Sequence, residues 1–210
     1  MKETELAELL LTKFCHDMAG VIGAINNGLE LMEEENAELK TQAVELLNFS
    51  AREALARLQF FRLIYGVSAP EGKIDFGELK GLIGKFYENA KVIPEYVNQR
   101  SDDDFALEKG KLLANLIYAA SLCLPRGGKL LVDMGNFLGT GEVIISAEND
   151  HIKLEDELKK ALDGGNIELR EKEIQPYYTA LLARKMGYGI AVQKAEKFFE
   201  IRLEKLGFQG

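Results

Sequence analysis

LTKFCHDMAGVIGAINNGLELM, residues 11–32, decides the architecture. Its apolar residues Leu11, Phe14, Met18, Val21, Ile25, Leu29 and Met32 recur at steps of three and four, which is one stripe of a helix and close to a heptad seam. A second such run follows at 47–65, LNFSAREALARLQFFRLIY, with Leu47, Ala51, Ala54, Leu58, Phe61 and Tyr65 on one side. No proline interrupts residues 3–66, and the polar Glu33-Glu34-Glu35-Asn36 breaks the period between the two runs. The expectation is a helix, a turn at 33–36, and a second helix antiparallel to the first. A single pair of helices leaves part of each stripe bare. Four helices cover them, which is why hairpins of this kind pair into bundles.

Gly66-Val-Ser-Ala-Pro-Glu-Gly72 then supplies a linker, and beyond it the period changes. Residues 78–89, 107–124, 154–162 and 176–186 read as helices. Residues 129–134 and 142–147 read as strands, bounded by Arg126-Gly127-Gly128 and Gly139-Thr140-Gly141, and 188–193 with 197–203 alternate like a final hairpin. Helices mixed with short strands imply an α/β layer. The expected fold is therefore α+β: an N-terminal antiparallel helical hairpin at 1–68, then an α/β sandwich at 73–210.

Composition removes several functions. The 210 residues are 47% hydrophobic, enough to bury a core, so wholesale disorder is excluded. A net charge of −8 disfavours nucleic acid as a general partner, because phosphate binding needs a basic face. No apolar run approaches a membrane span, and the acidic, amphipathic start MKETELAELLL lacks the basic region and cleavage site of a secretory leader. A cytoplasmic protein is expected. Cys15 and Cys123 sit in apolar helical patterns without CxxC spacing and read as reduced, buried thiols. The two Cys and the two His do not cluster as a set of ligands, so no zinc site is expected.

At about 100° per residue, His16 lies about 200° round the helix from Phe14 and about 160° from Met18 in the other direction. It points away from the seam, into water. On the same side lie Thr12, Lys13, Ala19, Gly20 and Gly23, with Asn27 further on. Glycine inside a helix costs roughly 1 kcal/mol relative to alanine. Two readings justify it here: close packing against the second helix, or a clearing that lets another protein's backbone approach the imidazole. The outward His16 favours the clearing for Gly20 and Gly23; for Gly28, helix crossing is the rival reading.

Phe14-Cys15-His16-Asp17-Met18-Ala19-Gly20-Val21, followed by Ala24-Ile25-Asn26-Asn27-Gly28-Leu29-Glu30-Leu31, resembles the phosphoacceptor helix of the bacterial ChpT-type histidine phosphotransferases. It is similar, more distantly, to the dimerisation-and-phosphotransfer helix of sensor histidine kinases. The resemblance implies a dimeric four-helix bundle with one phosphorylatable His per subunit, and a C-terminal domain shaped like a kinase ATP-binding domain. Such proteins relay phosphoryl groups between the receiver domain of a hybrid histidine kinase and response regulators. Carried onto this chain, His16 is the nucleophile and carrier, and Asp17 orients the ring or accepts its proton. Gly20, Gly23 and Asn27 form the docking face. Lys13 either offsets phosphate charge or is a plain solvated lysine. The receiver supplies Mg²⁺, so no cofactor or metal is expected on this side.

Departures from the kinase pattern decide between phosphotransferase and kinase. Near the His, Val21 stands where kinases usually have Pro, and Gly20 where bifunctional kinases place Thr or Asn for phosphatase chemistry. In the second domain, Asn115-Leu116-Ile117-Tyr118-Ala119-Ala120 resembles the NLxxNA helix with Ala119 in place of the metal-binding Asn. Glu148-Asn149-Asp150-His151-Ile152 has none of the glycines of DxGxG, and residues 170–176 have no glycine lid. Two other readings compete with the phosphotransferase: a histidine kinase with a divergent ATP site, which nucleotide binding would reveal, and a non-catalytic dimeric scaffold, which phosphate on His16 would exclude. His151 beside Asp150 reads as surface decoration. Tyr177-Tyr178 is an interface patch or a helix start packed on the sheet. The acid runs at 33–35 and 102–104 read as solvated loops.

Overall fold

The computed structural model describes residues 3–69, 71–98, 104–137, 139–165 and 169–206. Pro70 of the linker and Asp102 and Asp103 of the second acid run lie outside the described residues. The chain divides into two compact units, Met1–Tyr65 and Gly66–Gly210. The division falls earlier than residue 68, because the Gly66 carbonyl accepts a 2.7 Å hydrogen bond from Lys111 Nζ and so belongs with the second unit.

The first unit is the expected hairpin, α1 (Glu3–Met32) and α2 (Ala37–Tyr65). The turn between them ends on Asn36, whose side-chain oxygen accepts from the N–H groups of Glu38 at 2.8 Å and Leu39 at 3.4 Å. That is the N-cap role for which asparagine is favoured. Met18 and Val21 of α1 and Ala43, Phe60, Phe61 and Ile64 of α2 are buried. Phe14 meets Phe61 edge to face, ring centres 5.5 Å apart. At Gly28 the helices come so close that a Cβ would lie 2.8 Å from Leu47 Cγ; here the glycine serves helix crossing.

The stripes are covered on one flank only. Leu11 (61% exposed), Ile22 (56%) and Leu29 (55%) stay bare on α1, as do Leu55 (56%) and Leu58 (50%) on α2. Cys15, expected to be buried, is exposed, because it lies on the uncovered flank with Leu11 and Ile22. Cys123 is buried as expected, and the loss of water around it pushes its thiol up to about 12.

The second unit contains β1 (Lys73–Asp75), α3 (Phe76–Tyr87), β2 (Val92–Val97), β3 (Asp104–Ala106), α4 (Leu107–Ser121), β4 (Gly128–Asn136), β5 (Glu142–Glu148), α5 (Asp156–Leu162), α6 (Glu171–Lys185), β6 (Tyr188–Lys194) and β7 (Phe198–Lys205). Five strands form one sheet in the order β2-β4-β5-β7-β6, parallel between β2 and β4 and antiparallel elsewhere; β1 and β3 pair separately. One face of the sheet buries Leu130, Val132, Val143, Ile145, Phe199 and Ile201. Helix α4 is buried on every side from Gly110 to Ala120, as a helix must be when it lies between a sheet and other helices.

Three strands were not legible in the sequence. β1 and β3 are three residues each. β2 carries Pro94, which argues against a central strand, but β2 lies on the sheet edge, where a missing N–H is tolerated. α3 begins two residues before 78 because Asp75 caps it, its carboxylate accepting from Glu78 N–H at 2.8 Å. α6 begins five residues before Pro176, with the Glu173 carboxylate accepting from Arg170 N–H at 3.2 Å. Proline, favoured at a first helical position, misplaces that start.

Candidate functional site

His16 sits at mid-length on α1 with its side chain 74% exposed, on the flank opposite the packing against α2. Buried Met18 and the Phe14–Phe61 contact hold the helix on either side of it, so the outward direction is imposed by packing two residues away in each direction. Asp17 Oδ1 stands 3.5 Å from His16 Nδ1. The sequence placed these two side by side in the chain; the structure brings the carboxylate to one particular ring nitrogen.

The docking residues separate into two groups. At Gly20 and Gly23 nothing lies within 4 Å of where a Cβ would stand, and Ala19 and Asn27 are exposed. This flank of α1 carries no packed side chain for two turns after His16. Lys13 does not join that open face. It is buried, and its ammonium lies 3.0 Å from Asp17 Oδ2, where the groove between the helices draws in the aliphatic stem while the head finds a carboxylate. The reading of Lys13 as a plain solvated lysine is corrected accordingly: it is buried and paired with Asp17.

Sequence reasoning missed Arg57. From α2, its Nη1 donates a 2.9 Å hydrogen bond to the main-chain carbonyl of Asp17, and its Nη2 lies 3.7 Å from Glu53 Oε2. Glu53 is itself buried. A signal was present: Glu53 and Arg57 are an oppositely charged (i, i+4) pair within the second helical run.

In the second unit, the positions compared with a nucleotide site are occupied by the protein itself. Ala119 is fully buried. Asn115, also buried, donates to Lys111 O at 2.8 Å and accepts from Gln175 Nε2 at 2.8 Å, while Thr179 Oγ1 donates to Gln175 O at 2.8 Å. Residues 171–176 are the first turns of α6. His151 is exposed, with Arg126 Nη1 3.2 Å from its Nε2. Tyr177 and Tyr178 are half-buried, and the Lys111 ammonium lies 5.8 Å from the Tyr178 ring centre. Lys111 is pushed below the usual lysine range by burial first and by Lys185 second. Among the described residues no group of three or more His, Cys, Asp or Glu is placed to hold a metal ion, and no helix is long and apolar enough to cross a membrane.

A helical hairpin presenting one exposed His–Asp pair, joined to an α/β unit, defines a class, and comparison with known proteins agrees with it. Residues 76–198 match the family model of the histidine phosphotransferase C-terminal domain, and the chain belongs to that family. It is 33% identical over 191 residues to protein phosphotransferase ChpT of Brucella abortus (strain 2308), covering 90% of each chain. A solved bacterial phosphotransferase superposes with a TM-score of 0.81 at 31% identity, covering 97% of this chain and 98% of that one.

Proposed function

We propose that this protein is a phosphorelay carrier: His16 takes a phosphoryl group from the receiver domain of a hybrid histidine kinase and passes it to the receivers of response regulators. The observation that carries this reading is the exposed imidazole with Asp17 at its Nδ1, beside the side-chain-free face at Gly20 and Gly23, in a chain of this family. Asp17 favours the tautomer with the proton on Nδ1 and leaves the Nε2 lone pair for phosphorus. The P–Nε2 bond forms as the P–O bond to the receiver's aspartate breaks, and the electron pair leaves with that carboxylate. The Nδ1 proton is shared with Asp17 while the ring carries the phosphoryl group, and the reverse sequence delivers it to the next aspartate. Transfer of this kind asks mainly for in-line positioning and charge neutralisation. The receiver contributes Mg²⁺, an acidic pocket and a lysine, so we assign no cofactor to this chain.

The bare flanks of α1 and α2 support a homodimer, two hairpins closing into one bundle with a His16 on each outer side. Receiver domains as partners would support a cytoplasmic location. The test is transfer of labelled phosphate from a phosphorylated receiver domain. The wild type takes label and returns it to a second receiver. His16→Ala takes none, with stability changed by less than about 0.5 kcal/mol, as for an exposed side chain. Acid-labile label on His16→Ala would falsify the assignment.

A further inference from the structure

We propose that Arg57 is a positioning residue of the phosphotransfer site, acting on His16 through the main chain of Asp17; the proposal rests on the carrier reading above. Arg57 lies 40 residues away in sequence, yet its guanidinium donates at 2.9 Å to the carbonyl of the residue directly after His16. In an α-helix that carbonyl already serves the N–H four residues on, so the arginine adds a second donor from the neighbouring helix. Glu53, one turn back on α2 and buried, lies 3.7 Å from the other guanidinium nitrogen and aims it.

Asp17 is thereby held at both ends. Lys13 Nζ lies 3.0 Å from its carboxylate, Arg57 holds its carbonyl, and the same carboxylate stands 3.5 Å from His16 Nδ1. The need for such a tether comes from the open face. Gly20 and Gly23 leave the outer side of the following two turns without packed side chains, and glycine is the most permissive residue in a helix interior. A partner approaches α1 where α1 is least stiffened by its own side chains. The bond from α2 fixes the turn that carries the imidazole against rotation and slip. Attack on phosphorus held inside a receiver's pocket depends on that placement, whereas reaction with a small, freely diffusing donor does not.

The experiment follows the maximal rate and the half-saturating receiver concentration for transfer to the full chain, beside phosphorylation of His16 by phosphoramidate. Arg57→Ala is expected to lower the maximal transfer rate about tenfold or more with half-saturation unchanged, while the phosphoramidate reaction keeps its wild-type rate. Arg57→Lys, which keeps a donor, recovers part of the loss. Glu53→Gln gives a smaller loss of the same kind and carries the test if Arg57→Ala loses helical content. A wild-type maximal rate in Arg57→Ala, or in Glu53→Gln where it stands in, overturns the assignment. A change confined to half-saturation does the same, since it marks a docking contact. An equal loss with phosphoramidate overturns it as well. A wild-type chain that accepts no label from any receiver removes the carrier reading and this assignment together, whereas a transferring wild type beside an unaffected variant removes this one alone.

Discussion

Three glycines in one helix occupy two different situations, and substitution separates them. A Cβ at Gly20 or Gly23 meets nothing within 4 Å, so alanine at either position gains intrinsic helix propensity, up to about 1 kcal/mol, at no packing cost. At Gly28 the same Cβ lies 2.8 Å from Leu47 Cγ and 2.9 Å from Cδ2, and the gain is opposed by overpacking of about 1–3 kcal/mol. Thermal melting should therefore rank Gly20→Ala and Gly23→Ala above wild type and Gly28→Ala below them. Function orders them differently. Gly20→Gln or Gly23→Gln puts bulk beside His16 and should lower transfer from a receiver while the melting temperature holds or rises. A collapse of stability at Gly20 or Gly23 would show that those sites pack against something, contrary to the open face.

At the scale of elements, what the sequence discloses is periodicity, and what it conceals is anything that depends on a distant neighbour. The outward direction of His16 follows from residues two positions away, so it was readable; the Asp17–Arg57 bond spans 40 residues and was not. The same limit explains β2, whose Pro94 is tolerated only because the strand lies at the sheet edge, a fact of topology. It also explains α6, which starts at Glu171, where the kinase pattern would have its glycine lid. The Gln175–Asn115 hydrogen bond of 2.8 Å and the Thr179 contacts fill the ground between α4 and α6 with satisfied, fully buried polar groups. Admitting a nucleotide would break these bonds and leave their partners unpaired, at about 1–3 kcal/mol for each orphaned group. Calorimetric titration with Mg²⁺-ATP should accordingly show no binding in the micromolar range. Micromolar affinity would restore the kinase reading.

At the scale of the whole molecule, the exposed apolar residues ask to be covered. On α1, Leu11, Ile22 and Leu29 are each more than half exposed, and on α2 Leu55 and Leu58 are at least half exposed. They recur at heptad-like spacing on the flank next to, but not within, the α1–α2 packing. A hydrophobic residue left in water forgoes about 1.5–3 kcal/mol relative to full burial, so five such residues on a hairpin represent a large uncompensated surface. Pairing two hairpins about a twofold axis would remove it from both copies at once, and an interface so formed would be core-like, as expected of an obligate dimer. His16 lies well round the helix from that flank, so such a bundle would leave both imidazoles open. Light scattering should give about twice the 23.4 kDa chain mass even at low micromolar concentration. Leu58→Asp changes a residue that is 50% exposed in the single chain. It should leave the hairpin helical yet dissociate the dimer, because an aspartate in a dry interface is strongly disfavoured. Met18→Asp strikes the packing against α2 as well and should unfold the hairpin outright. If Leu58→Asp still scatters as a dimer, or if the wild type scatters as a monomer at that concentration, the apolar flank is not the dimer seam.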